Sequence, residues 1–466
     1  MLQRQKEVNV WGTAPADVEV KVSIADKTAA VKAGKDGKWS VTLPELPAGG
    51  PYRFTASAAE KVIEFKDVLV GEVWICAGQD NMQMSYKNMK APQSMIDDML
   101  KRPIRSFKVN IRLSLDPVET ISGEWKKEPC HSAIGFYMAD VLQKELNVPV
   151  AVIQSTCAYT PLEAWLPEKF TEKLPYFKEE VSKLKGGGSK NIKSQIEKVK
   201  GEELDYKSAK KIKHSFRHPT IVYNAMLHPV APYTVRGMTW YQGESNATKS
   251  MEESLRYGDT LKMWIKHLRD ELWKDENFHF HSVMLTRMGL ITKSSPSQDL
   301  SAPDAHSWAW FRESQQKILL LPNTGIINTI DGGLNPKILH PKDKDKIGLR
   351  AALLKLNKVY KKDTVCLGPE VDEVLIGESS TIVTFKNAAG LKTVDGGNPR
   401  EFWVAGKDRK WVEASAKISG ETVILTYPEN MKVEVVRYAF AAYPNVNLIN
   451  ENKLPALPFR TDKDSP

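Results

Sequence analysis

With 466 residues, 41% apolar and 26% charged, the chain has the composition of a folded globular protein with core enough for two or three domains, which excludes general disorder. No apolar run reaches membrane-spanning length, and the opening Met1-Leu2-Gln3-Arg4-Gln5-Lys6 lacks the apolar core of a signal peptide. The net charge of +9 favours anionic partners but comes with no nucleic-acid recognition motif, and Cys76, Cys130, Cys157 and Cys366 are too scattered for a zinc site or a disulfide framework. The compartment is left undecided: cytoplasmic as the sequence stands, secreted or extracytoplasmic if an upstream signal has been lost.

In chain order, residues 8–64 alternate apolar and polar, as in Val18-Glu19-Val20-Lys21-Val22 and Trp39-Ser40-Val41-Thr42-Leu43, with turns at residues 34–37 and 47–50. This predicts a small antiparallel β-sandwich, assigned to residues 1–67. The apolar run from Val68 to Ala77, broken only by Gly71 and Glu72, predicts a buried strand; Gly78 marks a turn, and the polar residues after it open a helix. Helical spacing runs from Ala133 to Leu146 and leads into a strand at Val148 to Ile153. Strands follow at Val235 to Tyr241, His279 to Thr286 and Gly325 to Ile330, interleaved with helices at Met251 to Leu272, Trp308 to Leu320 and Lys346 to Lys358. That alternation predicts an α/β domain over residues 68–366, three-layered with a largely parallel sheet, its active groups in loops at the carboxyl ends of the strands.

Within that domain, residues 169–218 are rich in basic residues and read as a solvated surface excursion. Gly186-Gly187-Gly188-Ser189 is its flexible joint, and Ile192, Ile196 and Val199 form a narrow apolar stripe. Alternation returns after Leu367, in Thr381-Ile382-Val383-Thr384-Phe385 and Thr422-Val423-Ile424-Leu425-Thr426, which predicts a C-terminal β module over residues 367–466.

Three loops and one histidine carry the candidate chemistry: Gly78-Gln79-Asp80-Asn81, the stretch from Ser155 through Cys157-Ala158-Tyr159-Thr160 to Trp165, Trp240-Tyr241-Gln242-Gly243-Glu244-Ser245-Asn246, and His340 in Leu339-His340-Pro341-Lys342-Asp343-Lys344. A strand, a glycine turn and an exposed polar residue at a helix start is how hydrolases present a nucleophile. The residue at this tip is Asp80, where the chemistry calls for serine. His228 and His218 read as structural, and the sequon Asn246-Ala247-Thr248 as coincidence.

These segments resemble the sialate O-acetylesterase family, SGNH-type carbohydrate esterases, over nearly the whole chain. The resemblance implies a three-layer SGNH-hydrolase-like α/β domain between an N-terminal β-sandwich and a C-terminal β module. It implies that Asp80 stands where the family has its serine nucleophile and His340 where it has the proton acceptor. It makes Ala158, Gln242 and Asn246 candidates for the oxyanion hole, and Gln79, Asn81, Tyr159 and Glu244 candidates for the substrate cleft. It implies no metal or other cofactor, acetylated glycans as ligands, no nucleic acid and no membrane, and leaves a protein partner or self-assembly open.

The chain departs from the family pattern three times. Asp80 replaces the serine. Cys157-Ala158-Tyr159 stands where Trp-Gly-Gly is usual, and Lys337-Ile338-Leu339 precede His340 where an acid is usual, leaving Asp331 and Asp343 to orient the imidazole. A carboxylate has no proton for His340 to remove, favours the imidazolium, and places negative charge where a reacting carbonyl belongs; it also makes a good helix N-cap. The expected function is a degenerate relative with little or no serine-esterase activity and a glycan-binding, structural or assembly role. The alternative is an active carbohydrate O-acetylesterase or other hydrolase using Asp80 and His340 in a changed mechanism. A second hydroxyl, such as that of Ser85, within reach of the imidazole would overturn the expectation.

Overall fold

The structure, a computed structural model, describes residues 1–186, 193–195, 212, 214–289, 303 and 307–466. The proposed glycine joint lies outside these residues beyond Gly186, and so does the apolar stripe. The chain divides into two compact units, one of residues 1–240 and 264–280, the other of residues 241–263 and 281–466.

The first unit begins with paired antiparallel strands. Val8–Thr13 pairs with Lys38–Leu43, and Glu19–Ile24 lies between Lys27–Lys32 and Gly49–Ala58. Their inward side chains, Val8, Val20, Val22, Ile24, Leu43 and Phe54, close one core together with Leu46 and Val70. The next strand, Lys61–Gly78, serves two sheets. Its first part pairs antiparallel with Gly49–Ala58, and its last seven residues pair parallel with Val150–Thr156. Val150–Thr156 in turn pairs parallel with Ile104–Val109, whose other neighbour, Gly123–Lys126, is antiparallel. Gly237–Tyr241 flanks the long strand on its other side. Val73 to Ala77 and Val150 to Ile153 are buried throughout, and burial on both faces is why these segments read as unbroken apolar runs rather than alternating ones.

Two features fix the long strand lengthwise. Gly71 packs so closely on the neighbouring segment that a Cβ there would collide with the Pro149 carbonyl. Beside it, the fully buried Glu72 carboxylate takes Arg4 Nε at 2.6 Å, Gln3 Nε2 at 3.0 Å and Arg236 Nε at 3.1 Å. Burial alone would raise the Glu72 pKa, but Arg236, Arg4 and Gln3 hold it below the usual carboxylate range. The helix Ala133–Leu146 starts at Ser132, whose hydroxyl accepts the Gly135 N–H, and ends at Asn147 in the left-handed region.

In the second unit the strand Thr324–Ile327 is followed by the helix Lys344–Lys358, which buries Ile347, Ala351 and Leu354 at helical spacing. The C-terminal β region has two four-stranded antiparallel sheets. One runs Glu370–Ile376, Ser380–Lys386, Thr422–Thr426, Ser415–Ser419; the other runs Val412–Glu413, Phe402–Ala405, Val435–Tyr438, Phe459–Arg460. Buried Arg437 clamps Asp462 with two contacts of 2.8 Å, and the Asp462 pKa lies at about 2, where its bonds to Arg437 and Arg460 outweigh burial. All four cysteines are free thiols, and no described helix is long and apolar enough to cross a membrane.

Candidate active site

Strand register decides what meets Asp80. Thr156 lies opposite Gly78 across the parallel pair, and Cys157 N–H continues the ladder to the Gly78 carbonyl at 2.9 Å. The loops that leave the two strands are therefore neighbours at the carboxyl edge of the sheet. Gly78 has φ +137°, a turn open to glycine, and the short helix Asp80–Gln83 begins directly after Gln79. Asp80 is thus the first helical residue and not its N-cap, and no side chain caps this helix. The carboxylate reaches across instead: Oδ2 accepts the Tyr159 N–H at 2.8 Å. No other described group donates to it. The flanking Gln79 and Asn81 are buried, while Asp80 itself is half-buried.

The second loop is braced on both sides of that bond. Tyr159 sits in the left-handed region at φ +66°, and Arg217 Nη1 donates to its carbonyl at 2.9 Å. Thr160 Oγ1 donates to the Cys157 carbonyl at 2.8 Å and accepts Trp165 Nε1 at 2.9 Å. Trp165 packs edge-on against Trp240, which lies against Trp264. Burial, with the Asp80 carboxylate as a second cause, pushes the Cys157 thiol well above its ordinary range, so it stays protonated. Ala158 is half-buried. The Ser85 hydroxyl is used locally: it accepts Lys87 N–H and caps the turn Tyr86–Met89.

In the second unit, Gln242 and Asn246 belong to one buried chain of side-chain bonds. The Tyr257 hydroxyl donates to Gln242 Oε1 at 2.8 Å, Gln242 Nε2 donates to Asn246 Oδ1 at 2.9 Å, and Asn246 Nδ2 donates to Glu253 Oε2 at 3.2 Å. Glu253 also carries Lys249 at 2.9 Å and pairs with Arg256. Gly243 has φ +152°, and a Cβ there would lie 2.5 Å from the Phe311 ring. Glu244 is buried in the helical turn that follows. Lys344 is fully buried, its Nζ 5.4 Å from the centroid of the Tyr241 ring. Burial lowers the Lys344 pKa to about 8, with Asp343 and Glu244 pulling the other way.

His340 is half-buried. Of the two acids expected to orient it, Asp331 is paired elsewhere, held by both Arg350 terminal nitrogens at 2.7 Å. Asp343 occupies the N-cap position of the helix Lys344–Lys358 without making a capping bond, and its Oδ1 is buried with no hydrogen-bond partner among the described residues.

Comparison with known proteins agrees with this architecture. A family profile described as "carbohydrate esterase, sialic acid-specific acetylesterase" matches residues 206–355, a stretch that includes the third loop and His340. Sialate O-acetylesterases of Homo sapiens and Mus musculus are 26% and 24% identical to the chain; each alignment covers 93% of it and 84% or 86% of the relative. The crystal structure of a carbohydrate acetylesterase from Xanthomonas citri superposes with a TM-score of 0.82 at 29% identity, over 99% of this chain and 97% of that one.

Over nearly its whole length the chain is similar to the sialate O-acetylesterase family of carbohydrate esterases. Its fold is the expected SGNH-hydrolase-like α/β class with β modules at both ends. Two contributors to these sites went unassigned in the sequence. The Tyr159 main-chain N–H has no sequence signal, because its role follows from strand register. Lys344 does have one: it falls on the buried stripe of its helix with Ile347, Ala351 and Leu354, a position where a lone charge calls for a partner.

Proposed function

We propose that this sialate O-acetylesterase-like chain has lost the family's serine chemistry at position 80 and retains a saccharide-binding role at the loop that carries it. The observation that supports this is the 2.8 Å bond from Tyr159 N–H to Asp80 Oδ2. Acyl transfer needs a hydroxyl nucleophile, a base, and main-chain donors aimed at the developing oxyanion. Here an acceptor-only group stands at the tip of the strand–turn–helix, and a main-chain donor of the adjoining loop is already spent on it. The carboxylate also brings a standing negative charge, which repels the carbonyl oxygen that an oxyanion hole exists to attract. The nearby thiol offers no substitute, since burial and Asp80 keep Cys157 protonated. Attack by Asp80 itself on an acetyl ester would give a mixed anhydride and expel the sugar alkoxide, and water would then have to cleave the anhydride.

Acetate release from O-acetylated sugars tests this reading. The unaltered chain is expected to match buffer alone, Asp80→Ser to exceed it by roughly 100-fold, and Asp80→Ser with Tyr159→Gly to exceed the single variant, because glycine opens the approach to the main-chain donor. Turnover by the unaltered chain of about 1 per second or more, the ordinary range for enzymes, would show that Asp80 supports catalysis and defeat the proposal.

A further inference from the structure

We infer that the loop at Asp80 selects a saccharide presenting a free hydroxyl over the same saccharide O-acetylated at that position; this rests on the saccharide-binding role proposed above. The two oxygens of the carboxylate are in different situations. Oδ2 is tied to Tyr159 N–H at 2.8 Å, whereas Oδ1 receives no hydrogen bond from any described residue, and the side chain is half-buried rather than enclosed. An ionised carboxylate can only accept. A sugar hydroxyl can donate to Oδ1 in place of solvent; an acetyl ester at the same carbon has lost that hydrogen and offers a carbonyl oxygen to a negative charge instead.

The acceptor is also fixed in place before any ligand arrives. Tyr159 is held through its carbonyl by Arg217, and the loop behind it by the Cys157, Thr160 and Trp165 bonds, so little ordering remains to be done on binding. Cys157 stays a neutral thiol and adds no second anion. A position that in an esterase would receive the ester thus becomes, in this chain, one that prefers the de-esterified sugar.

The test uses the full chain and methyl glycosides of glucose, galactose and N-acetylglucosamine, each beside its 6-O-acetyl ester, with binding measured by calorimetry and saturation-transfer NMR. At least one free glycoside should bind tighter than its ester by roughly 10-fold or more, the scale of one hydrogen bond to a charged group. In Asp80→Asn the amide oxygen keeps the Tyr159 N–H and turns its NH2 toward the ligand, so the preference should vanish or reverse. Equal or tighter binding of the esters, an unchanged preference in Asp80→Asn, or no binding of any of the three sugars would each overturn the inference. Any of those results without acetate release leaves the loss of esterase chemistry standing; acetate release by the unaltered chain removes both.

Discussion

Around Asp80 the main chain does the positioning. Seven residues of parallel register bring Thr156 opposite Gly78, and the donor that meets the carboxylate is a peptide N–H. Around Asn246 side chains do it, through the run Tyr257, Gln242, Asn246, Glu253, with Lys344 and Glu244 buried nearby. The first arrangement tolerates a change of the residue at the turn, because the peptide groups stay where the sheet puts them. The second does not, because each amide depends on its neighbour for orientation. This difference fits the proposal that position 80 holds aspartate in place of a serine, since the peptide groups around it do not depend on the side chain there.

Four measurements would break or sharpen that contrast. The largest effect is expected at Glu72, which locks the strand leading to Asp80. Glu72→Gln should cost about 3 kcal/mol in chemical denaturation, since it leaves Arg4 and Arg236 without their buried counter-charge. A cost near zero would mean that backbone register alone holds the strand.

Next is Lys344. Its pKa in the folded chain is about 8, below the ordinary 10.5. Below pH 8 the lysine is charged in both states and folding bears the cost of burying it. Between pH 8 and 10.5 only the unfolded chain keeps the proton, so stability rises with pH across that window. Relative to Lys344→Met, the unaltered chain should gain roughly 2 kcal/mol from pH 7 to pH 10; parallel curves would show that Lys344 keeps its proton when folded.

Asp80→Ala should cost about 1.5 kcal/mol and raise hydrogen exchange at the Tyr159 amide, while amides of the Val150–Thr156 strand stay protected. Loss of protection throughout that strand would contradict main-chain control. Smallest is Tyr257→Phe, at about 1 kcal/mol for a donor that serves Gln242. Its NMR signature should be displaced Gln242 and Asn246 side-chain amide signals with the Tyr159 amide unmoved.

How much of this could be read in the sequence follows the same division. Strands buried on both faces and helices with an apolar stripe leave local marks, so the positions of Val150–Thr156, Ala133–Leu146 and the helix ending at Lys358 were legible to within a few residues. The third loop and His340 could be singled out as candidates because their residue types are unusual together. What lay beyond reach depended on distant register or a distant partner. Asp80 was expected to cap a helix; it reaches instead to an N–H 79 residues away, because the turn at Gly78 starts the helix one residue earlier. Asp331 was expected near the imidazole, and Arg350, on the face of a later helix, takes it first.

The strand Lys61–Gly78 has a consequence for how this chain can vary. It enters from the N-terminal β core and reaches the turn before Asp80 as one strand, but its antiparallel register with Gly49–Ala58 shifts between Phe65 and Val68, so its two ends do not share one two-residue phase. Inserting a single residue between Val73 and Trp74, inside the parallel-paired stretch, would turn every later side chain in the strand to the opposite face and shift Gly78 out of step with Thr156. A change of length is therefore absorbed more easily at the register shift ahead of Val68 than among the parallel-paired residues Glu72–Gly78, where every residue is held in step with its neighbour.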